Sequence, residues 1–488
     1  MRFQLGRIVE ALGKAGLLEE THGDLPESVE GISDDSRHVV AGSLFIAIRG
    51  SARDGHDYLP RARDLGAAAA LVEDGSRTSL PAIVVREGRK AAAIAAGAAY
   101  GDPSRELRMI GITGTNGKST TAGILRHLLD SPRSRAASIG TLGVLLGTEG
   151  EVVPGGAELT TPGPVELQRV LRELVDRGVK TVAMEVSSHS LDQRRIDGLT
   201  FNAVVFTNLT RDHLDYHETM EAYFAAKARL MEYLEPTGTA AINIDDSHWS
   251  ALPSTRRKIL FGVDKRANVR ATDVRFSPSG SEWTLVHGNE SIPVNLPLIG
   301  DVNVHNALGA VAVGLTLGAS LHELATGLGS LPQVPGRLEV IWQRPTVLRD
   351  YAHTPDAIER SLAAIRPFTS GRLILVFGCG GDRDRGKRPE MGQAAEAGAD
   401  LVIITNDNPR TEDPEQILDD IETGMTPGRH LRITRRKAAI QRALEEAHNG
   451  DVVLLAGKGH ETYQIVGTVK LPFDEKAIVR EMMTGHPN

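Results

Sequence analysis

The sequence is nearly without cysteine: Cys379 is the single one among 488 residues, so no intrachain disulfide can form and the chain reads as one made for a reducing compartment. A basic excess is missing too. Against 63 Asp and Glu there are 55 Lys and Arg, a net charge of −8, which argues against a general nucleic-acid binder, because phosphate neutralisation needs a basic excess or a basic stripe. Any phosphate must therefore be bound locally. No apolar run approaches the roughly 18 to 20 residues that span a bilayer. The opening segment MRFQLGRIVEALGKAG has no apolar stretch before a small-residue cleavage site, so it predicts a short amphipathic helix and not a secretion signal. The protein is accordingly expected in the cytoplasm, with no membrane span and no nucleic acid as partner. Low-complexity tracts and clear internal repeats are also lacking.

What is present is an alternation of short apolar strands with helical stretches, over a length that requires about three domains of roughly 100 to 200 residues. Residues 1–106 carry strands such as LFIAIRG and AIVVRE between Ala-rich segments and predict a small α/β domain. Residues 107–335 open on a strand, Arg108 to Thr113, then a glycine loop and a helix, with further strands at KTVAMEV, AVVFTN and GTAAINID. This predicts a central P-loop-type domain on a mostly parallel sheet covered on both faces. The linker-like LPQVPGR leads into residues 336–488, whose strands TVLRDYA, RLILVFG, DLVIITN and DVVLLAG alternate with helices and predict a Rossmann-like, doubly wound domain. The expected class is α/β in three domains.

The segment MIGITGTNGKST sets Gly114, Thr115, Asn116, Gly117, Lys118, Ser119 and Thr120 between a strand and a helix, the context that a phosphate loop needs. Backbone N–H groups curl round the anion, the helix N-terminus adds a positive dipole end, Lys118 supplies a point charge and Ser119 can hold phosphate-bound magnesium. ATP with Mg2+ is the expected ligand. Ile112 stands where the pattern G-x-x-x-x-G-K-[ST] has its first glycine, which marks a subclass. Glu185 lies at a strand's C-terminal end, where α/β folds keep their sites, and a carboxylate buried near phosphate needs a cation. His213 lies in the polar loop after strand AVVFT, where a histidine is either a ligand or simply exposed. Lys227 conflicts with its surroundings. Read as a helix, residues 219–234 put Met220, Tyr223, Phe224, Leu230, Met231 and Leu234 on one apolar stripe with Lys227 inside it. Such a lysine commonly snorkels to solvent; burial would instead favour the neutral amine, which reacts with carbon dioxide to give a carbamate.

Further distinctive segments follow one another along the chain. They are DSR (Asp35–Arg37), TTP (Thr160–Pro162), EVSSHSLDQRR (Glu185–Arg195), TNLTRDHLDYH (Thr207–His217), AAK (Ala225–Lys227), NVHN (Asn303–Asn306) and PGR (Pro335–Arg337). DYAHTPD (Asp350–Asp356), GCGGDRDRGKRP (Gly378–Pro389), DNPR (Asp407–Arg410) and GKGHE (Gly457–Glu461) follow. Together with TGTNGKST, and in this order through all three domains, they resemble the Mur ligase family and, within it, the MurE type.

The resemblance implies a ligase of peptidoglycan precursor synthesis that acts as a monomer. In it the D-glutamate carboxylate of UDP-N-acetylmuramoyl-L-Ala-D-Glu attacks ATP, and meso-diaminopimelate captures the acyl phosphate. It implies catalytic roles for Lys118 and Glu185, and a second magnesium held by His213 and by Lys227 carbamylated to N6-carboxylysine. Asn208, His305, Asn306, Arg337 and Asp350 match contacts to ATP. Asp34, Ser36 and the loop Ser51, Ala52, Arg53 match contacts to uridine diphosphate, and Thr160, Thr161, Ser187, Gln193 and Arg195 match contacts to the muramoyl dipeptide. DNPR resembles the version that accepts diaminopimelate. Arg410, helped by Arg383, would grip its distal carboxylate through paired hydrogen bonds; Asp407, Asn408 and Glu461 would hold the distal ammonium, with Pro409 in the turn and Gly457 allowing close approach. The competing readings are the same ligase adding L-lysine, a folylpolyglutamate synthase without a uridine-binding first domain, and a nucleotide-driven switch. A switch has no use for Lys227 in an apolar stripe.

Overall fold

In the computed structural model, which describes residues 2–50, 53–156, 159–255 and 257–485, the short apolar runs assemble into three main sheets. The first has five strands in the order Leu18–His22, Ala82–Val85, Ala69–Val72, Ser43–Ile46 and Gly31–Ser33, parallel except for Leu18–His22. Every residue of Ala69–Val72 and Ala82–Val85 is buried, as expected of strands covered on both faces. The helix Leu5–Lys14 packs Leu5, Ile8 and Leu12 inward, an i, i+3, i+7 stripe; this is the amphipathic helix expected at the start.

The central sheet has eleven strands. Six successive neighbours, Arg135–Gly140, Val179–Glu185, Arg108–Thr113, Phe201–Phe206, Leu234–Asn243 and Lys258–Gly262, run parallel. Arg108–Thr113 lies between Val179–Glu185 and Phe201–Phe206, so the loop after it opens in the middle of the sheet. At one edge Gly143–Leu146 and Glu151–Val153 add antiparallel strands. At the other edge Val269–Ser277 continues the parallel set, and Gly280–His287 and Glu290–Leu296 follow it antiparallel. These edge strands were not foreseen. They alternate inward residues such as Trp283 and Leu285 with outward ones such as Glu282 and Thr284, the weaker signal of a half-exposed strand.

The C-terminal sheet has six strands in the order Glu339–Gln343, Thr346–Asp350, Val452–Ala456, Leu373–Phe377, Leu401–Ile404 and His430–Arg432. All pair in parallel except the first. One face packs on Ile358, Leu362 and Met391, the other on Ile440, Ala443 and Val479, which is the doubly wound arrangement expected. The segment expected as one helix over 219–234 is shorter: Met220–Ala228 is α-helical and Arg229–Tyr233 tightens to 3-10 before the strand at Leu234. Lys227 remains on its buried face. No helix among the described residues is long and apolar enough to cross a membrane.

Candidate active site

The C-terminal ends of the central parallel strands converge on one cavity of about 240 Å³, lined by Thr115–Thr120, Thr141, Thr160, Glu185, Asp212, His213, Asn303, Asn306, Arg337, Asp350, Tyr351 and His353 among others. The glycines of the loop are required by close approach. A Cβ on Gly114 would collide with the Thr207 hydroxyl, and one on Gly117 with the Asn306 amide. Asn208 fixes the loop rather than lining the cavity: its Oδ1 accepts from the Asn116 N–H at 3.0 Å and its carbonyl from the Thr115 N–H at 2.7 Å. Lys118 folds back to donate to the carbonyls of Gly114 and Thr115 at 2.9 and 2.7 Å.

Lys227 is 1% exposed. Its Nζ donates to the same Gly114 carbonyl at 2.8 Å and lies 4.4 Å from the centroid of the Tyr223 ring. Burial, with Lys118 beside it, holds the ammonium well below its ordinary pKa, against a weaker pull from Asp212. Burial lowers Lys118 as well, while Glu185 and Asp212 oppose the shift. Glu185, 2% exposed, accepts from the Thr141 N–H at 2.9 Å and from its hydroxyl at 3.3 Å. No basic side chain among the described residues forms an ion pair with it, and the charge nearest in effect is Lys118 in the same cavity.

A larger cavity of about 750 Å³ adjoins, lined among others by Ser187, Arg195, Arg383, Asp407, Asn408, Arg410, Gly457 and Glu461. The two cavities share Thr141, Thr160, Asp212, His213, Tyr351, His353 and Thr354 as wall. Asp212 was not singled out by the sequence, although it precedes His213 in the TRDH segment. Burial acts to raise its pKa, but His213, His353 and Lys118 hold the carboxyl below its ordinary value. His213 sits at the rim with φ 54, its N–H donating to Asp212 Oδ1 at 2.8 Å. His353, also missed, is lowered by burial and by Lys387.

In the larger cavity Arg410 donates to the Gly381 carbonyl at 2.7 Å, and no carboxylate among the described residues pairs with it. Arg195 is held by the Thr161 carbonyl at 3.0 Å and Gln193 Oε1 at 2.7 Å. Thr161 and Gln193 thus stand behind the wall, as does Pro409. The hydroxyl of Thr161 donates to the Glu185 carbonyl at 2.9 Å.

Several expected contacts stand elsewhere. His305 is turned away from the nucleotide-side cavity: its Nε2 meets Asp245 Oδ2 at 2.8 Å and its Nδ1 the Asp301 carbonyl at 2.9 Å. Burial disfavours its charge, yet Asp245 raises the pKa above the ordinary value. Asn306, one residue on, does reach the cavity. Asp350 lines it, but its oxygens accept from the Leu338 and Ala352 N–H groups at 2.7 and 2.9 Å and from the Ser361 hydroxyl at 3.1 Å. Arg337 donates to the Ser119 hydroxyl at 3.2 Å, crossing from the C-terminal unit to the phosphate loop. Asp34, Ser36 and Arg53 line neither cavity. Burial raises the Asp34 pKa, with Arg195 opposing. Ser51 and Ala52 lie outside the described residues.

Asp407, Asn408 and Glu461 were expected to hold a substrate ammonium, and they already hold one of the chain's own. Lys458 Nζ lies 3.2, 2.9 and 3.2 Å from Asp407 Oδ1, Asn408 Oδ1 and Glu461 Oε2. Nothing in the local pattern of GKGHE distinguishes a lysine that points inward from one that points to solvent.

Comparison with known proteins matches the same three units. A family model described as Mur ligase middle domain matches residues 112–314, one described as Mur ligase, glutamate ligase domain matches 336–459, and one described as Mur ligase family, catalytic domain matches 28–104. A protein of Geobacter metallireducens named UDP-N-acetylmuramoyl-L-alanyl-D-glutamate--2,6-diaminopimelate ligase is 44% identical over 486 residues, covering 94% of each chain. A protein of the same name from Synechococcus elongatus is 43% identical over 95% of this chain and 96% of its own. A solved structure of a ligase of that name, 35% identical, superposes with a TM-score of 0.67 over 96% of this chain and 97% of the other.

Proposed function

This chain belongs to the Mur ligase family, and from that footing we propose how its side chains divide the work of an ATP-dependent amide ligase. The reaction joins 2,6-diaminopimelate, as the meso isomer, to the D-glutamate of UDP-N-acetylmuramoyl-L-alanyl-D-glutamate in peptidoglycan precursor synthesis. Neither lysine addition nor folate polyglutamylation is favoured.

The observation that carries the division of roles is the shared wall between the two cavities. In the first step the glutamate γ-carboxylate oxygen attacks the γ-phosphorus of ATP. The bond to the β,γ-bridging oxygen breaks and ADP leaves, giving an acyl phosphate. In the second step the amine nitrogen attacks the acyl carbon, phosphate departs and the amine loses its proton. Catalysis of this kind is mostly positioning and charge stabilisation. The loop N–H groups and Lys118 serve the ATP phosphates, Arg337 approaches them from the C-terminal unit, and Asn306 lies toward the nucleoside. Thr160, from the common wall, and Ser187 and Arg195, from the larger cavity, serve the muramoyl dipeptide, and Asp212, kept ionised, is a candidate acceptor for the amine's proton. Asp34, Ser36 and Arg53 of the first unit are assigned to the uridine diphosphate. Arg410, paired with no carboxylate among the described residues, takes the distal carboxylate of diaminopimelate, with Arg383 at the cavity rim.

Magnesium fits the donor set. Among the described residues no three His, Cys, Asp or Glu side chains converge to hold a metal unaided, whereas Mg2+ is usually held by one or two carboxylates together with substrate phosphates. Glu185 and the Ser119 hydroxyl would hold it at the nucleotide; His213 and carbamylated Lys227 would hold a second. When bound, the ions neutralise phosphate charge. The neutral amine favoured at Lys227 is the form that adds carbon dioxide: as the N–C bond forms the nitrogen loses one proton, and a neutral side chain becomes a negative one. We assign the reaction to a single chain in the cytoplasm.

The test is phosphate release from ATP by the purified protein. Release is expected only when UDP-muramoyl dipeptide and meso-diaminopimelate are both present. Equal release with either omitted would overturn the reading.

A further inference from the structure

Lys458 is 0% exposed, and its three ammonium donors have three acceptors: Asp407 Oδ1, Asn408 Oδ1 and Glu461 Oε2. Asn408 and Glu461 are also tied to each other directly. Asn408 Nδ2 donates to the same Glu461 Oε2 at 2.9 Å, and the Ile465 N–H donates to Asn408 Oδ1 at 2.9 Å. One oxygen of each carboxylate is therefore turned inward. Glu461 Oε1 and Asp407 Oδ2 accept no hydrogen bond from the described residues, and both side chains line the larger cavity. Two carboxylates and one ammonium leave this corner a single net negative charge. Arg410 and Arg383 line the same cavity with positive charge.

We propose that Lys458 is a specificity-determining positioning residue. Its buried ammonium fills the inner cation position formed by Asp407, Asn408 and Glu461, so the corner offers a substrate one outward oxygen from each carboxylate and one net negative charge. The inference rests on the reading of this cavity as the amino-acid site. A substrate whose far end carries one ammonium and one carboxylate matches the corner and the arginines together. Without Lys458 the corner would carry two negative charges and an open position shaped for an alkylammonium, which is the far end of L-lysine. Removing one partner of a buried charge cluster also leaves the others uncompensated, so the Asp407 carboxylate would lose its orientation and Glu461 would keep only its bond from Asn408.

The experiment measures kcat/KM for meso-diaminopimelate and L-lysine, and KM for ATP, in wild type, Lys458→Met, Lys458→Ala and Arg410→Ala. Lys458→Met should raise KM for diaminopimelate about tenfold or more while KM for ATP stays within about twofold, and its preference for diaminopimelate over lysine should fall. In Lys458→Ala, added ethylammonium chloride should restore part of the lost affinity for diaminopimelate, and sodium chloride at the same ionic strength should not. If the single variants do not fold, Lys458→Met with Asp407→Asn keeps the corner at one negative charge and is measured in the same way. An unchanged KM and preference in the Met variants overturns the proposal. So does a uniform loss in all three kinetic constants without ethylammonium rescue, which is the mark of a purely structural lysine. Wild-type preference for lysine, or an unchanged preference in Arg410→Ala, sinks the assignment of the cavity and this inference with it. Preference lost in Arg410→Ala but kept in Lys458→Met sinks the inference alone.

Discussion

Lys118 and Lys227 reach one acceptor, the Gly114 carbonyl, at 2.9 and 2.8 Å, and two ammonium groups this close in a buried place disfavour each other's charge. Lys227, the more enclosed of the two, is the one pushed furthest from its ordinary value. Replacing it with alanine should remove most activity and leave the melting temperature little changed, because its tie to the loop is one hydrogen bond. Added formate or acetate should restore part of the rate by standing in for the missing metal ligand. Full activity of Lys227→Ala without such an additive would end the proposed role. Glu185 depends on a glycine in the neighbouring strand: a Cβ on Gly140 would collide with its carboxylate. Gly140→Ala is therefore expected to lower kcat about 100-fold by moving that carboxylate, on the scale of a misplaced catalytic group, with far-UV circular dichroism unchanged. Kinetics equal to wild type in a folded Gly140→Ala protein would show that the position of Glu185 does not matter.

At the scale of elements, a hairpin that the strand pattern did not announce holds the DNPR turn. Its strands, Tyr463–Val466 and Val469–Pro472, pair with each other. The Arg410 N–H donates to the Ile465 carbonyl at 3.1 Å, and the Gly467 N–H to the Arg410 carbonyl at 2.7 Å. Gln464 adds a bond to the Asp407 carbonyl at 2.6 Å. These bonds keep Arg410 at φ 51, a left-handed conformation that costs a non-glycine residue about 1 kcal/mol or more. Ile465→Pro removes the N–H that Asn408 accepts, so KM for diaminopimelate should rise while KM for ATP does not; parallel changes in both would place the hairpin outside the site. The start of the C-terminal unit, just after the linker LPQVPGR, is organised in a similar way. Leu338 stands at φ 46, held by Asp350 at 2.7 Å. Asp350→Ala leaves three donors without that carboxylate and should cost about 1–3 kcal/mol in denaturant unfolding.

For the whole molecule, the reaction depends on bringing the C-terminal unit onto the phosphate loop. Asp356 bridges them, accepting from the Thr210 hydroxyl at 2.9 Å and from Asn116 Nδ2 at 3.3 Å, and Arg211 pairs with Glu390 at 3.2 Å. A closed site excludes the water that would hydrolyse an acyl phosphate. Asp356→Ala should consequently release more phosphate than peptide product, measured as the ratio of ADP formed to amide formed, and a ratio of one would argue against a closing role. Selection of the amino acid belongs to this scale too. An arginine that has lost its substrate carboxylate rejects the poorer substrate by up to about 10⁴-fold. The kcat/KM ratio of meso-diaminopimelate to L-lysine should collapse in Arg410→Ala.

The sequence by itself determined what is contiguous: the phosphate loop between strand and helix, Glu185 at a strand end, the lysine misplaced in an apolar stripe, the DNPR turn and the α/β alternation. Each depends on neighbours within a few residues, so its chemistry is written locally. Tertiary structure alone decided what distant segments do to one another. It turned His305 toward Asp245 and away from the cavity, and brought Asp356 to Asn116 across 240 positions. It also filled the expected ammonium site with Lys458, 50 residues beyond Asn408. The half-exposed edge strands were equally hidden, because their pairing partners, and not their own residues, make them strands. A residue's type states what it can donate, accept or charge; only the fold states which partner is already there.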